Sequence, residues 1–200
     1  MRRLLPCLCL VLFCGSAAFA QEAYPKWDFT AAFTFNNMET PPPATRQNLF
    51  GFTAAIANNF RKWAAVEGDI TYTTKTLTGT RRSLFSYMIG PRFTKRISMN
   101  GSGAARRNHS NFQSPDSSSN KGDLEPFVHV LIGGGHLSGF GASTNGWTGK
   151  FGGGLDVVAG KHIAIRVIQI DYYRYHGNLP VTLPKQRLDN LALTFGIRIF

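Results

Sequence analysis

Cysteine is confined to the first fourteen residues of this 200-residue chain, as Cys7, Cys9 and Cys14. A chain cleaved after Ala20 carries no thiol, which excludes disulfides, thiolate metal sites and cysteine nucleophiles. Past residue 20 no stretch approaches the ~18 consecutive apolar residues of a membrane-spanning helix. Acid is scarce as well: 11 Asp and Glu stand against 22 Lys and Arg, a formal net charge of +11, and removing Arg2 and Arg3 leaves +9. Nucleic-acid binding would gather such an excess into a basic stripe or helix. Here the cations are scattered over turns and strand ends, and the export signal described next points away from DNA. No nucleic-acid partner is expected. The excess reads as surface charge available to anionic lipid headgroups or lipopolysaccharide.

What is present begins with a leader. Arg2 and Arg3 precede an apolar run from Leu4 to Phe13, and the small-residue site Ala18-Phe19-Ala20 precedes Gln21. Residues 1–20 therefore read as a secretory signal peptide, and 21–200 as one exported domain. The alternative is a lipoprotein leader lipidated at Cys14; Phe13 stands where that motif takes a small residue.

Beyond the leader the chain alternates. Trp27, Phe29, Ala31, Phe33 and Phe35 share one parity, with Asp28, Thr30 and Thr34 on the other. Period-2 patterning of this kind is a strand with one greasy and one polar face. It recurs in eight segments: Lys26 to Asn37, Asn48 to Ala57, Trp63 to Thr73, Ser83 to Phe93, Pro126 to Leu137, Trp147 to Ala159, Ile163 to Tyr175 and Leu188 to Phe200. Pro91 inside the fourth predicts a bulge or a rim position. In the seventh, Arg166 is even while Gln169 and Asp171 are odd; a bulge near Val167 would point all three the same way.

Each segment is about the 9–11 residues a tilted membrane strand needs. Links after strands two and six are short. Those after strands one, three, five and seven are expected to run about eight to twelve residues, including the Pro41-Pro42-Pro43 loop and a Gly-rich loop from Ser138 to Gly146. Short periplasmic and long extracellular links are the habit of outer-membrane barrels. Residues 94–125 differ: rich in Ser, Asn, Gly and Arg, they read as a polar flexible insertion on the periplasmic side.

The polar parity carries Asp28, Glu67, Asp69, Arg92, Lys150, Asp156, Arg166, Asp171 and Arg198, while the opposite parity is aromatic and aliphatic. A water-soluble barrel would place the greasy residues inside. Charge inside and grease outside implies a barrel in lipid, closed because hydrocarbon cannot satisfy a sheet edge. Eight strands give a lumen filled by side chains, where charges should be paired. The expected pairs are Glu67 with Arg92, Asp156 with Arg166, and Asp28 with Arg198, the last only if strands one and eight meet.

Tyr87-Met-Ile-Gly-Pro-Arg-Phe93, Pro126-Phe-Val-His-Val-Leu-Ile-Gly-Gly134, Gly152-Gly-Gly-Leu-Asp-Val157 and Arg166-Val-Ile-Gln-Ile-Asp-Tyr172 resemble repeats of the OmpA/OmpX-like eight-stranded outer-membrane β-barrels, a porin-family domain. So does the ending Leu191 to Phe200. The resemblance implies an all-β, up-and-down antiparallel transmembrane barrel in the bacterial outer membrane. It implies that Phe195, Gly196, Ile199 and Phe200 form the signal read by the barrel-assembly machinery. Family endings run Gly-x-x-hydrophobic-x-aromatic, whereas four residues follow Gly196 here. The favoured expectation is a monomeric, non-enzymatic structural or surface protein with a side-chain-filled lumen or very narrow pore, and without cofactor. The alternatives are a soluble secreted barrel binder and a lipid A deacylase. The deacylase barrels use a His-x-Ser pair plus a Glu; His136-Leu137-Ser138 has that spacing, but no Glu follows Glu125. His129 faces inward alone and reads as a hydrogen-bonded interior residue, since a metal needs about three or four ligands. Gly133-Gly-Gly135 and Gly152-Gly-Gly154 lack the Lys-Ser/Thr and helix of a phosphate loop. Arg106-Arg107 and the Ser-rich run after them read as a solvated loop, with docking of a periplasmic partner as the alternative.

Overall fold

A computed structural model describes residues 25–39, 46–77, 80–99, 122–139, 142–177 and 186–200. The leader, the triple-proline loop and residues 100–121 lie outside the described residues. Eight strands, β1 (Trp27–Met38), β2 (Gln47–Arg61), β3 (Ala64–Leu77), β4 (Thr80–Thr94), β5 (Leu124–Gly139), β6 (Ala142–Val158), β7 (Ile163–Gly177) and β8 (Gln186–Ile199), form a closed antiparallel barrel in which each strand pairs with its sequence neighbours. β1 closes on β8 from Phe29↔Ile199 to Met38↔Asn190. A circuit of partners from Ile199 through Phe29, Ile56, Gly68, Ile89, Ile132, Gly149 and Arg174 returns to β8 at Asp189, ten residues from its start. That stagger forces the strands to tilt about the axis.

Parity decides which face meets what. Phe52, Ile132 and Trp63 on the outer face are 69%, 62% and 59% exposed, whereas Asp28, Glu67 and Arg92 on the inner face are 3%, 1% and 2% exposed. Aromatic residues collect toward both ends of the outer band. Trp27, Phe60, Trp63 and Phe93 lie at the turn end that holds both termini of the barrel, with Trp63 stacked on Phe93 at 5.9 Å. Phe33, Phe50 and Phe52 cluster nearer the other end. Aliphatic Ile56, Ile70, Ile89, Val130 and Ile197 fill the space between. An apolar outer face this continuous is unstable in water and suits hydrocarbon.

Three expectations are corrected. The strands are 12 to 17 residues long, and only residues 78–79 and 140–141 separate β3 from β4 and β5 from β6. The ladder continues above the greasy band because polar and glycine residues still pair, as in Thr76↔Arg81 and Gly139↔Ala142; hydrophobic alternation cannot register such an extension. Secondly, of the two readings of Pro91 the bulge is not found, and the residue lies three positions from the lower end of β4 at Thr94. Ile89↔Ile132 and Arg92↔His129 stay in step, and the strand passes the missing N–H with no extra residue. Thirdly, the ends of the 94–125 insertion are ordered. Lys95 and Ile97 donate their N–H groups to the carbonyls of Pro126 and Leu124, extending the β4–β5 hairpin below the barrel. The register shift in β7 falls between Arg166 and Gln169 as the parity change required, leaving Val167 and Ile168 both outward.

Candidate functional site

The interior is layered. Its lower layer, at the end carrying the β2–β3 and β6–β7 turns, is ionic. Arg166 binds Asp156 twice, Nε to Oδ1 at 2.8 Å and Nη2 to Oδ2 at 3.1 Å, and donates from Nη1 to Gln169 Oε1 at 2.7 Å. Gln169 passes a bond to Asp171 Oδ2 at 2.6 Å. His129 sits between Asp171 Oδ1 and Glu67 Oε1, 2.9 Å from each. With both carboxylates ionised, both ring nitrogens must donate, which only the imidazolium can do. Glu67 also accepts from Arg92 at 3.2 Å, and Arg92 donates to Asp28. Arg198 donates to Glu125, lies 3.2 Å from Asp156 and only 3.9 Å from Asp28. All these side chains are nearly inaccessible to solvent. Alternation of sign through the layer is what permits so many ions in one lumen, since each unpaired buried charge is strongly destabilising.

Above it runs a belt of hydroxyls. Thr34 bonds Thr53 at 2.6 Å and Thr194 at 3.1 Å, Thr53 bonds Thr71 at 2.9 Å, and Thr71 donates to Asp69. Lys150 closes this belt on Asp69 at 2.9 Å and lies 5.2 Å above the centre of the Tyr173 ring. Higher still, Met38, Leu49, Leu84, Met88, Leu131, Leu137, Tyr173, Tyr175 and Leu188 form one buried apolar cluster. Arg166 also lies 4.3 Å from the centre of the Phe127 ring, so the lower layer has apolar packing of its own.

Each residue expected in the lumen, Asp28, Glu67, Asp69, Arg92, Asp156, Arg166, Asp171 and Arg198, is buried on the inner face. Glu67 meets Arg92 and Asp156 meets Arg166. Asp28 and Arg198 approach each other only loosely; their short contacts go to Arg92 and Glu125. Sequence reasoning placed Glu125 in the insertion, yet it joins β5 and takes both Arg198 and the more exposed Arg96. It read His129 as a hydrogen-bonded interior residue yet left it outside the charge set, and it missed the apolar upper layer. Inward parity was the available signal for all of them.

At the chain end, Phe195 and Ile199 face outward and Gly196 faces the seam, where an added Cβ would strike the Ala31 carbonyl and the Ala32 side chain. Phe200 turns under the barrel. Its N–H donates to the His162 carbonyl at 3.0 Å, and the Arg198 guanidinium lies 5.0 Å from its ring centre. His136 lies exposed on the outer face with Nδ1 2.7 Å from Asn145 Oδ1; among the described residues no hydrogen bond joins it to Ser138.

No family model matches the sequence, and no curated protein matches it. Solved structures do. Neisserial surface protein A, NspA, superimposes with a TM-score of 0.56 at 12% identity, covering 89% of this chain and 99% of that one. Ail, the attachment invasion locus protein of Yersinia pestis, gives 0.45 at 16% identity over 86% of this chain and 97% of its own. The N-terminal β-barrel domain of Pseudomonas aeruginosa OprF gives 0.38 at 12% identity over 86% and 97%. The chain has the eight-stranded barrel fold of NspA.

Proposed function

We propose that this chain is a monomeric, non-enzymatic integral protein of the bacterial outer membrane, an anchor or surface protein whose lumen is closed by its own side chains. The observation that carries the reading is the pairing of an apolar outer band with two stacked interior seals. Ions entering from below meet the salt-bridged layer built around Arg92, His129 and Arg166. Those entering from above meet Met38, Leu137 and Leu188. Eight strands leave no room for a water column beside such side chains. Lipid and lipopolysaccharide are the natural neighbours of the outer band, and the barrel-assembly machinery is the partner that reads Phe195 to Phe200.

Recordings in planar bilayers test the reading. The folded protein should insert without steady conductance. A stable open channel at moderate voltage would overturn the closed lumen, and recovery of the chain in the soluble periplasmic fraction would overturn the membrane assignment.

A further inference from the structure

On the outer face of β1 to β4, at the end away from the barrel termini, the aromatic band gives way to polar residues on all four strands. Beyond Phe35 and Phe50 come Asn37, Asn48 and Arg46; beyond Tyr72 and Phe85 come Thr74, Thr76 and Arg81. Asn37 donates to Asn48 at 2.6 Å and accepts from Arg46 Nη1 at 3.0 Å. Arg81 donates from Nη2 to the Tyr72 hydroxyl at 2.8 Å and from Nε to Thr74 Oγ1 at 3.3 Å. Arg46 and Arg81 are exposed, and these partners are neutral oxygens, so the hydrogen bonds hold the side chains without cancelling their charge. No Asp or Glu occurs between residues 40 and 66 or between residues 70 and 115. The acids at this end, Glu39 and Asp189, stand at the β1–β8 seam, where Glu39 accepts the Asp189 N–H and Asp189 takes Arg174. The two arginines are also level. Phe50, Thr74 and Ser83 form one row of partners. Such a row climbs roughly two to three residues from β2 to β4, given ten per circuit. Arg46 is four residues above Phe50 and Arg81 two above Ser83, so the climb offsets the difference. Two strand spacings, roughly 10 Å, separate them, with Thr76 on the strand between.

We infer that Arg46 and Arg81 bind the phosphorylated sugar headgroup of lipopolysaccharide, one phosphate to each guanidinium. The inference deepens the outer-membrane reading above and rests on it, since that reading puts this end of the barrel in the outer leaflet. A barrel whose apolar band ends at an aromatic girdle holds the next residues at headgroup depth. A guanidinium presents five N–H donors in a planar fork that matches phosphate. Arg46 uses one of them on Asn37, and Arg81 uses two on Tyr72 and Thr74, so each keeps N–H groups for a charge-assisted phosphate contact. The same bonds order both side chains before a ligand arrives, which lowers the entropy lost on binding. Two level cations with no carboxylate between them complement a headgroup carrying two phosphates. A headgroup with a single phosphate can satisfy only one of them. Charge complementarity therefore selects diphosphorylated glycolipid over its monophosphorylated form and over phosphatidylglycerol.

Native mass spectrometry of the full chain, folded in micelles doped with equal diphosphoryl lipid A, monophosphoryl lipid A and phosphatidylglycerol, tests the site. Retained diphosphoryl lipid A should exceed both of the others. Arg46→Gln with Arg81→Gln should lower that excess by about fivefold or more. Arg46→Gln alone, at a position just before β2, should lower it in the same direction if the double variant does not fold. Lys26→Gln with Lys161→Gln, at the opposite rim, should leave it unchanged. Heat-modifiable migration of each variant establishes closure. A folded, micelle-embedded barrel that retains the three lipids equally would overturn the site alone. So would an excess that survives in the folded Arg46 and Arg81 variants or falls equally in the opposite-rim variant. Phosphatidylglycerol retained as well as diphosphoryl lipid A, and lost in the double variant, would mean attraction to any anionic headgroup and would also overturn it. A wild-type chain found in the soluble fraction is the separate failure of the membrane reading.

Discussion

Arg166 grips Asp156 through two parallel bonds, 2.8 Å and 3.1 Å, across the bulge of β7. The bulge is what makes the grip available: without the extra residue between Arg166 and Gln169, one of the two would face lipid. The same displacement brings Gln169 and Asp171 inward and so connects Arg166 to His129.

Arg166→Leu should destabilise the barrel by about 3 kcal/mol, because Asp156 keeps only Arg198 and Gln169 loses its donor. Equilibrium urea unfolding in lipid vesicles measures this. Arg166→Leu combined with Asp156→Leu should lose less than the single change, since no lone buried charge remains. A midpoint unmoved by Arg166→Leu would contradict the pairing.

His129→Leu should cost roughly 2 kcal/mol or more, since it leaves one oxygen each of Glu67 and Asp171 without its donor in a closed space. His129→Gln should recover part of the loss. Unfolding of the two variants side by side checks the order; equal stability of His129→Leu and the native chain would contradict it.

Gly196→Val should hinder closure of the β1–β8 seam, because its Cβ would collide with backbone of β1. The expected readout is loss of the heat-modifiable, fast-migrating band. Gly160→Ala, where nothing lies within 4 Å, should fold as the native chain does.

Ile89→Arg tests the outer face midway along β4, where the side chain is 59% exposed in the barrel and surrounded by hydrocarbon in the membrane. A cost of about 2–4 kcal/mol is expected, as for cations placed near a bilayer midplane. Asn37→Arg, at the upper end of β1 beside Asn48, should cost far less. Equal tolerance at both positions in a vesicle folding assay would place Ile89 in water.

Sequence patterning carried the architecture far. Phe33, Tyr87 and Phe195 face outward and Thr34, Ser86 and Thr194 inward because parity is a local property, set by two residues of backbone and unaffected by distant partners. Hairpin neighbours such as Glu67 and Arg92 were legible for the same reason. The apolar cap was not, because its inward residues, such as Leu49, Leu131, Leu137 and Leu188, are scattered over several strands among polar and glycine residues of the same parity and meet only when the barrel closes.

Closure and stagger belong to the tertiary structure. Sequence alone set which faces are greasy, how many strands alternate and where β7 must bulge, because those follow from period-2 geometry along one strand. It could not say that Asp28 answers to Arg92, that His129 joins Glu67 on β3 to Asp171 on β7, or that Glu125 neutralises Arg198. Those partners lie across the lumen, and only a register that advances ten residues per circuit brings them to the same height.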